Sequence, residues 1–220
     1  ILLKAKKPII YSGGGVINSG VKASSILTKL VNYLNVPITQ TLMGLGAVSA
    51  ENKNFLGMLG MHGTYEANMA MHDCDVMLCV GARFDDRITG NLKYFSPNSK
   101  KIHIDIDPSS INKNVKIDIP LIGDCYYILD MMLKEFKLAK SKIDKKSLNK
   151  WWNTINKWQK KDCLSFSDSD KIIKPQKALQ VLNNALSSFS LLKGVFFLLH
   201  FFKDYSNAAI PVWRFPRINA

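Results

Sequence analysis

Short apolar runs alternate with segments whose apolar residues recur at helical spacing, and that alternation organises the first 140 residues. "PIIYS" (8–12), "VPITQT" (36–41), "DVMLCVG" (75–81), "KIHIDID" (101–107) and "IPLIG" (119–123) read as strands, being brief, rich in β-branched residues and bounded by glycine or polar turns. Between them, Ile26, Leu27, Leu30, Val31 and Leu34 share one helical face, and residues 64–73 read as a second helix. A third carries Ile128, Leu129, Met132, Leu133 and Phe136 on one stripe, with Asp124 placed to cap it. Strands that are apolar on both faces, interleaved with amphipathic helices, predict an α/β fold with a doubly wound parallel sheet.

After residue 140 the pattern changes. Leu148, Trp151, Trp152, Ile155 and Trp158 fall on one stripe of a lysine-rich helix, so residues 141–173 are expected to form an amphipathic linker resting on a neighbouring surface. "KPQKALQVLNNAL" (174–186) opens another helix with Pro175 in its first turn, and Ala178, Leu179, Leu182 and Leu186 on one face. The expected organisation is therefore a domain at 1–140, a linker at 141–173 and the start of a further domain at 174–220, whose pattern is lost after about residue 189. The chain starts at Ile1, which is read as a fragment or a processed product.

Composition narrows the function classes. The chain is 47% hydrophobic and 21% charged, ordinary for a globular protein and unlike a disordered one. No run approaches the ~20 apolar residues that cross a bilayer, because Lys193 and His200 interrupt the nearest candidate. The net charge of +13 raises nucleic-acid binding. Residues 134–174 hold twelve lysines against five acids, but those lysines belong to a solvated helix without interleaved glycine or arginine. No nucleic-acid partner is expected, and no membrane. Cys74, Cys79, Cys125 and Cys163 form no C-x-x-C pair and read as free thiols of a reducing compartment.

The chemistry gathers in loops. Gly13, Gly14 and Gly15 follow the first strand, where a dinucleotide fold approaches a diphosphate, yet Asn18 stands at the third fingerprint glycine and the second strand ends without a carboxylate. An ordinary NAD site is therefore not expected. "GARFDDR" (81–87) brackets two aspartates with two arginines, suited to phosphate or carboxylate, or else to pairing among themselves. His103, Asp105 and Asp107 share a strand face, but nothing nearby completes a metal site.

At "TLMGLG" (41–46), "MLGMHGTYEAN" (58–68), "GARFDDRITG" (81–90) and "HIDIDPSSINKN" (103–114) the sequence resembles the large, catalytic subunit of the acetohydroxyacid (acetolactate) synthases, a thiamine-diphosphate enzyme family. The resemblance runs to about residue 186. It implies that residues 1–140 are the family's Rossmann-like central domain, which binds FAD, followed by its linker and the first helix of its thiamine-diphosphate domain. Gly13, Gly14 and Gly15 would approach the FAD diphosphate, and Thr41, Leu42, Leu59, Gly60, Met61 and His62 would line the cofactor. Gly81, Arg83, Asp85, Asp105, Ile106, Asp124 and Cys125 would complete the crevice, with Asp105 and Asp124 accepting from hydroxyls. Asp86 and Arg87 match the substrate channel, Arg87 holding the carboxylate of a 2-oxoacid.

The implied reaction condenses two pyruvates, or pyruvate and 2-oxobutyrate, to 2-acetolactate or 2-aceto-2-hydroxybutyrate with release of CO2, the first common step of branched-chain amino acid biosynthesis. Thiamine diphosphate, Mg2+ and the activating glutamate belong to other domains of the family, so no catalytic residue or metal ligand is expected here and the fragment alone is expected to be inactive. The family also implies a homodimer or homotetramer with a regulatory small subunit, in bacterial cytoplasm or a plastid. The alternatives within reach of the same residues are a noncatalytic FAD- or ADP-binding module and another thiamine-diphosphate carboligase or oxidase. After about residue 189 the sequence departs from the family's pattern, as a truncated or frame-shifted continuation would.

Overall fold

β1 (Pro8–Ser12) and β4 (Val76–Val80) are five-residue runs in which every side chain is buried, and they pair in parallel at the centre of the sheet. The computed structural model describes residues 1–139 and 143–186. Outward from that pair lie β2 (Ile38–Gln40) and β3 (Phe55–Met58) on one side, β5 (Lys100–Asp105) and β6 (Ile119–Ile122) on the other. All five pairings are parallel, in the order β3-β2-β1-β4-β5-β6. This is the doubly wound Rossmann order, in agreement with the expected fold class.

The five expected strands all form, within two residues of their anticipated ends. β3 is absent from the strands that the sequence predicts. It is a four-residue edge strand whose Gly57 sits at φ +91°, and its register with β2 shifts between two pairs of partners. Its apolar residues Phe55, Leu56, Met58 and Leu59 are interrupted by Gly57 and include no β-branched residue, so pairing with β2 decides that it is a strand.

Helices follow from one-sided burial. α1 (Gly14–Asn18) starts within the glycine triplet, and Gly20, at φ +93°, separates it from α2 (Val21–Leu34). The α2 stripe of Ile26, Leu27, Leu30, Val31 and Leu34 is buried as its spacing requires, and Asn35 ends the helix in the left-handed conformation. α3 (Tyr65–Asp73) is capped by Thr64, whose hydroxyl accepts from the Ala67 amide. α5 (Cys125–Leu138) is capped by Asp124, which accepts from the Tyr126 amide at 2.9 Å. α2 packs on α5 and α3 on α6 (Lys145–Gln159). Right-handed crossovers put α2 and α3 on opposite faces of the sheet.

α6 closes the unit that runs from Ile1 to Cys163. Leu148, Trp151 and Ile155 are buried. The Trp151 indole donates to the Pro8 carbonyl at 3.0 Å, and that of Trp152 donates to the Asn35 carbonyl at 2.8 Å. The lysine-rich helix thus turns its tryptophans onto the N-terminal edge of the sheet, supplying the surface that its stripe required.

A second unit begins at Leu164. Its described part contains α7 (Pro175–Leu186), with Pro175 as the first helical residue, and an ion pair between Lys177 and Asp168 at 2.6 Å. The expected loss of pattern after 189 falls outside the described residues. Among the described residues no helix is long and apolar enough to cross a membrane.

Candidate functional site

In an all-parallel sheet every strand delivers its C-terminal loop to the same edge, and a crevice opens where the connections leave in opposite directions. Here that point lies between β1 and β4, between the glycine triplet and the 81–87 segment. An added Cβ on Gly13 would lie 2.5 Å from the Gly81 carbonyl oxygen and from Ala82 Cβ, and one on Gly15 would lie 2.7 Å from Gly81 Cα. Gly81 itself has φ +56°, with Cys125 Sγ 3.0 Å from its own virtual Cβ. Gly44, after β2, abuts Ser12 and Gly13 in the same way. Glycine is required because the loops after β1, β2 and β4 meet backbone to backbone.

The amides of this junction complete it. Gly13 N–H donates to Val80 O and Gly15 N–H to Gly81 O, each at 2.9 Å. The triplet therefore joins the loops after β1 and β4. Thr41 N–H donates to Ser12 O, and the Thr41 hydroxyl accepts from Gly44 N–H at 3.0 Å. Gly60 is clamped by Asn68, which accepts from its amide at 2.9 Å and donates to its carbonyl at 3.0 Å. Met61 N–H donates to Arg87 O at 3.3 Å, so the loop after β3 rests on the turn after β4.

That turn leaves β4 through Gly81–Asp85 and closes as α4 (Asp86–Thr89). Phe84 is its anchor, buried against Tyr11, Phe95 and His103 with ring centroids 5.8, 5.9 and 5.3 Å away. The charged side chains point away from that anchor. Arg83 lies 3.9 Å from Asp85 and Arg87 lies 3.9 Å from Asp86, with the arginine side chains 67% and 77% exposed. Pairs this long and this wet contribute little, so both guanidinium groups keep donors for a ligand.

On the far side, Asp105 is buried at the end of β5 and accepts from the Asp107 amide at 2.9 Å. His103 Nε2 lies 3.6 Å from Asp105 Oδ2, too far for a hydrogen bond. Burial holds the His103 imidazole below its ordinary pKa, leaving it neutral. Asp124 accepts from the Ser19 hydroxyl at 2.9 Å, joining α1 to the start of α5. Burial, with Asp124 and Asp105 nearby, pushes the Cys125 thiol up to about 12, so it remains a neutral wall behind Gly81.

All the sequence-derived site residues thus lie on loops, strand ends or the first turns of helices that follow the C-terminal ends of the strands. Their side chains divide: Leu59 and Cys125 belong to the core, whereas Leu42, Met61 and Ile106 are exposed apolar groups along the rim, joined by Met43 and Ile122. Exposed apolar side chains and two exposed guanidinium groups, each only loosely paired with an aspartate, suit a ligand that is flat and apolar at one end and anionic at another. Two further residues escaped the sequence reading. Ser12 and Gln40, neighbours in register at the ends of β1 and β2, are fully buried with their side-chain polar atoms unpartnered. Their signal was present, as polar residues closing otherwise apolar strands. Among the described residues no group of three His, Cys, Asp or Glu side chains is placed to hold a metal ion.

Residues 1–132 match the family model described as thiamine pyrophosphate enzyme, central domain. Over 198 residues the chain is 48% identical to the acetolactate synthase large subunit of Buchnera aphidicola subsp. Schizaphis graminum, a match covering 90% of this chain and 33% of that protein. It is 49% identical over 184 residues to the acetolactate synthase large subunit of Haemophilus influenzae, covering 82% and 31%. Against the acetolactate synthase isozyme 3 large subunit of Escherichia coli it is 45% identical over 181 residues, covering 82% and 31%. The chain spans about a third of the length of the curated relatives it matches.

Proposed function

We infer from one premise, that this chain belongs to the thiamine pyrophosphate enzyme family through its central domain, that it is a central portion of an acetolactate synthase large subunit. The relatives carry that name at 45–49% identity. The whole enzyme would join two pyruvates, or pyruvate and 2-oxobutyrate, with loss of CO2. It would work as an oligomer of large subunits with a small regulatory subunit, in the cytoplasm.

This portion binds FAD in the crevice between β1 and β4. The observation that carries the reading is the junction there: glycine-packed loops, an exposed apolar rim and two solvent-exposed guanidinium groups whose ion pairs are long. Arg83 pairs with the diphosphate, for which a planar fork of donors is suited. Asp105 and Asp124 accept from sugar hydroxyls, and the rim side chains Leu42, Met61 and Ile106 cover the flat ring system. Arg87, beside Asp86, grips the carboxylate of the incoming 2-oxoacid and orients it. Bound FAD would wall the substrate channel without exchanging electrons, since the overall reaction is redox-neutral. Thiamine diphosphate, when bound, supplies the decarboxylation chemistry. Its site and that of Mg2+ fall to the rest of the enzyme.

Titration of the purified chain into FAD, followed by quenching of flavin fluorescence, tests the reading. Saturable binding is expected, weakened by Arg83→Ala roughly tenfold, the scale of a lost charge-assisted hydrogen bond. A chain with native circular dichroism that leaves flavin fluorescence unchanged would overturn the FAD assignment. Equal affinity for ADP and FAD would instead favour a nucleotide-binding module.

A further inference from the structure

The segment leaving β4 has no regular secondary structure, yet five successive carbonyls in it are each met by a donor. Gly81 O accepts from Gly15 N–H at 2.9 Å and Asp85 O from the Ile88 and Thr89 amides at 3.0 Å. The three between them are held by side chains. Ala82 O accepts from Cys79 Sγ at 3.0 Å, Arg83 O from the Tyr11 hydroxyl at 3.3 Å and Phe84 O from Asn114 Nδ2 at 2.7 Å. Those donors come from β4, from β1 and from the connection between β5 and β6.

We propose that Tyr11, Cys79 and Asn114 are positioning residues that hold the Arg83–Arg87 turn in its ligand-binding shape and so fix where both guanidinium groups stand. The turn's own side chains cannot do this, because its ion pairs are long and solvent-exposed. Three donors on three different elements triangulate the backbone, and each bond restrains a different peptide plane. Burial raises the ionisation of Tyr11 and of Cys79 well above their ordinary values, so both keep the hydrogen they donate. A backbone fixed before the ligand arrives spares the binding step the cost of ordering it. The clamp stands on these contacts alone; its consequence for a ligand rests on the FAD reading above.

Two conservative variants remove one donor each. Tyr11→Phe deletes the hydroxyl, and Asn114→Asp keeps the shape but replaces the donating amide by an acceptor. Hydrogen exchange of the intact chain reads the turn directly, through the amides of Ile88, Thr89 and Gly90, which bond to Asp85 O and Asp86 O. We expect these three to exchange at least about threefold faster in both variants, with the β4 and β5 amides unchanged, as loss of one hydrogen bond implies. Unchanged exchange at all three would overturn the clamp. The second readout is coupling: each variant should weaken FAD binding roughly two- to tenfold, and that effect should vanish in an Arg83→Ala background. Undiminished weakening in that background would mean that the donors do not act through Arg83, and would overturn their positioning role. If the wild-type chain binds no FAD, the crevice assignment falls and hydrogen exchange alone decides the clamp.

Discussion

Replacing Trp151 by alanine asks whether α6 is part of the sheet domain or a passenger upon it. The side chain is 2% exposed, touches Trp158 edge-on at 5.6 Å, lies under the Lys7 ammonium at 5.7 Å and donates to Pro8 O at 3.0 Å. A buried indole removes about 200 Å² from water, which at about 25 cal/mol/Å² corresponds to about 5 kcal/mol. Large-to-small substitutions of buried aromatics measure about 3–5 kcal/mol, so the two scales agree. Against a typical domain stability of about 5–15 kcal/mol the loss is severe. It corresponds to a fall of roughly 10 °C in Tm for a unit of this size. Trp151→Phe separates the two contributions, keeping most of the packing and leaving the Pro8 carbonyl without its donor, at about 1–3 kcal/mol. Urea unfolding followed by far-ultraviolet circular dichroism would measure both. If Trp151→Ala unfolds at the wild-type midpoint with an unchanged slope, α6 contributes nothing to the cooperative unit and this reasoning fails.

Gly15→Ala must drive the loop after β1 off Gly81, whose Cα would lie 2.7 Å from the new methyl; it should cost about 1–3 kcal/mol and abolish FAD binding. Gly14→Ala, 3.2 Å from Met43 Cβ, should cost less in the same melts. Asp124→Ala should lose about 0.5–2 kcal/mol through the uncapped start of α5, with Asp124→Asn largely restoring the midpoint. His103 titrates lower when folded than its unfolded value of about 6.5, so the unfolded state takes up a proton first as pH falls. The stability it contributes is complete above about 6.5 and is lost progressively as pH drops from there towards the lower folded value. Tm of the wild type should therefore fall between pH 7 and 5 more steeply than that of His103→Gln, and parallel slopes would contradict the assignment.

What could be read from sequence was what burial imposes on composition. β1, β4 and α2 bury whole runs or stripes, so their residues announce them. β3 was silent because its state is decided by a neighbour, and α1 because glycines make poor helix formers and Gly15 is held there by contact with Gly81. The candidate site was legible at its charged and glycine positions, where residue type announces itself. Its support was not: Tyr11 looks like any core aromatic, Cys79 like any buried thiol and Asn114 like a loop asparagine. Tyr11 and Asn114 matter through partners far along the chain, 72 and 30 positions away, and Cys79 through a carbonyl just past the end of its own strand. The tryptophan stripe gave away that α6 rests on something, but not that the something was the start of the chain.

That last contact bears on how the protein is made. The bond from Trp151 to Pro8 joins residues 143 positions apart, and the central pairing of β1 with β4 already spans more than sixty. At about 5–20 residues per second on a ribosome, the first strand therefore waits several seconds for its central neighbour and several more for the helix that seals its end. During that interval a largely apolar strand and an open sheet edge are available to any other chain, the circumstance in which nascent parallel sheets aggregate. Native structure cannot be completed before α6 has cleared the exit tunnel, so the lysine-rich helix that looks like a connector sets the earliest moment at which this domain can finish folding.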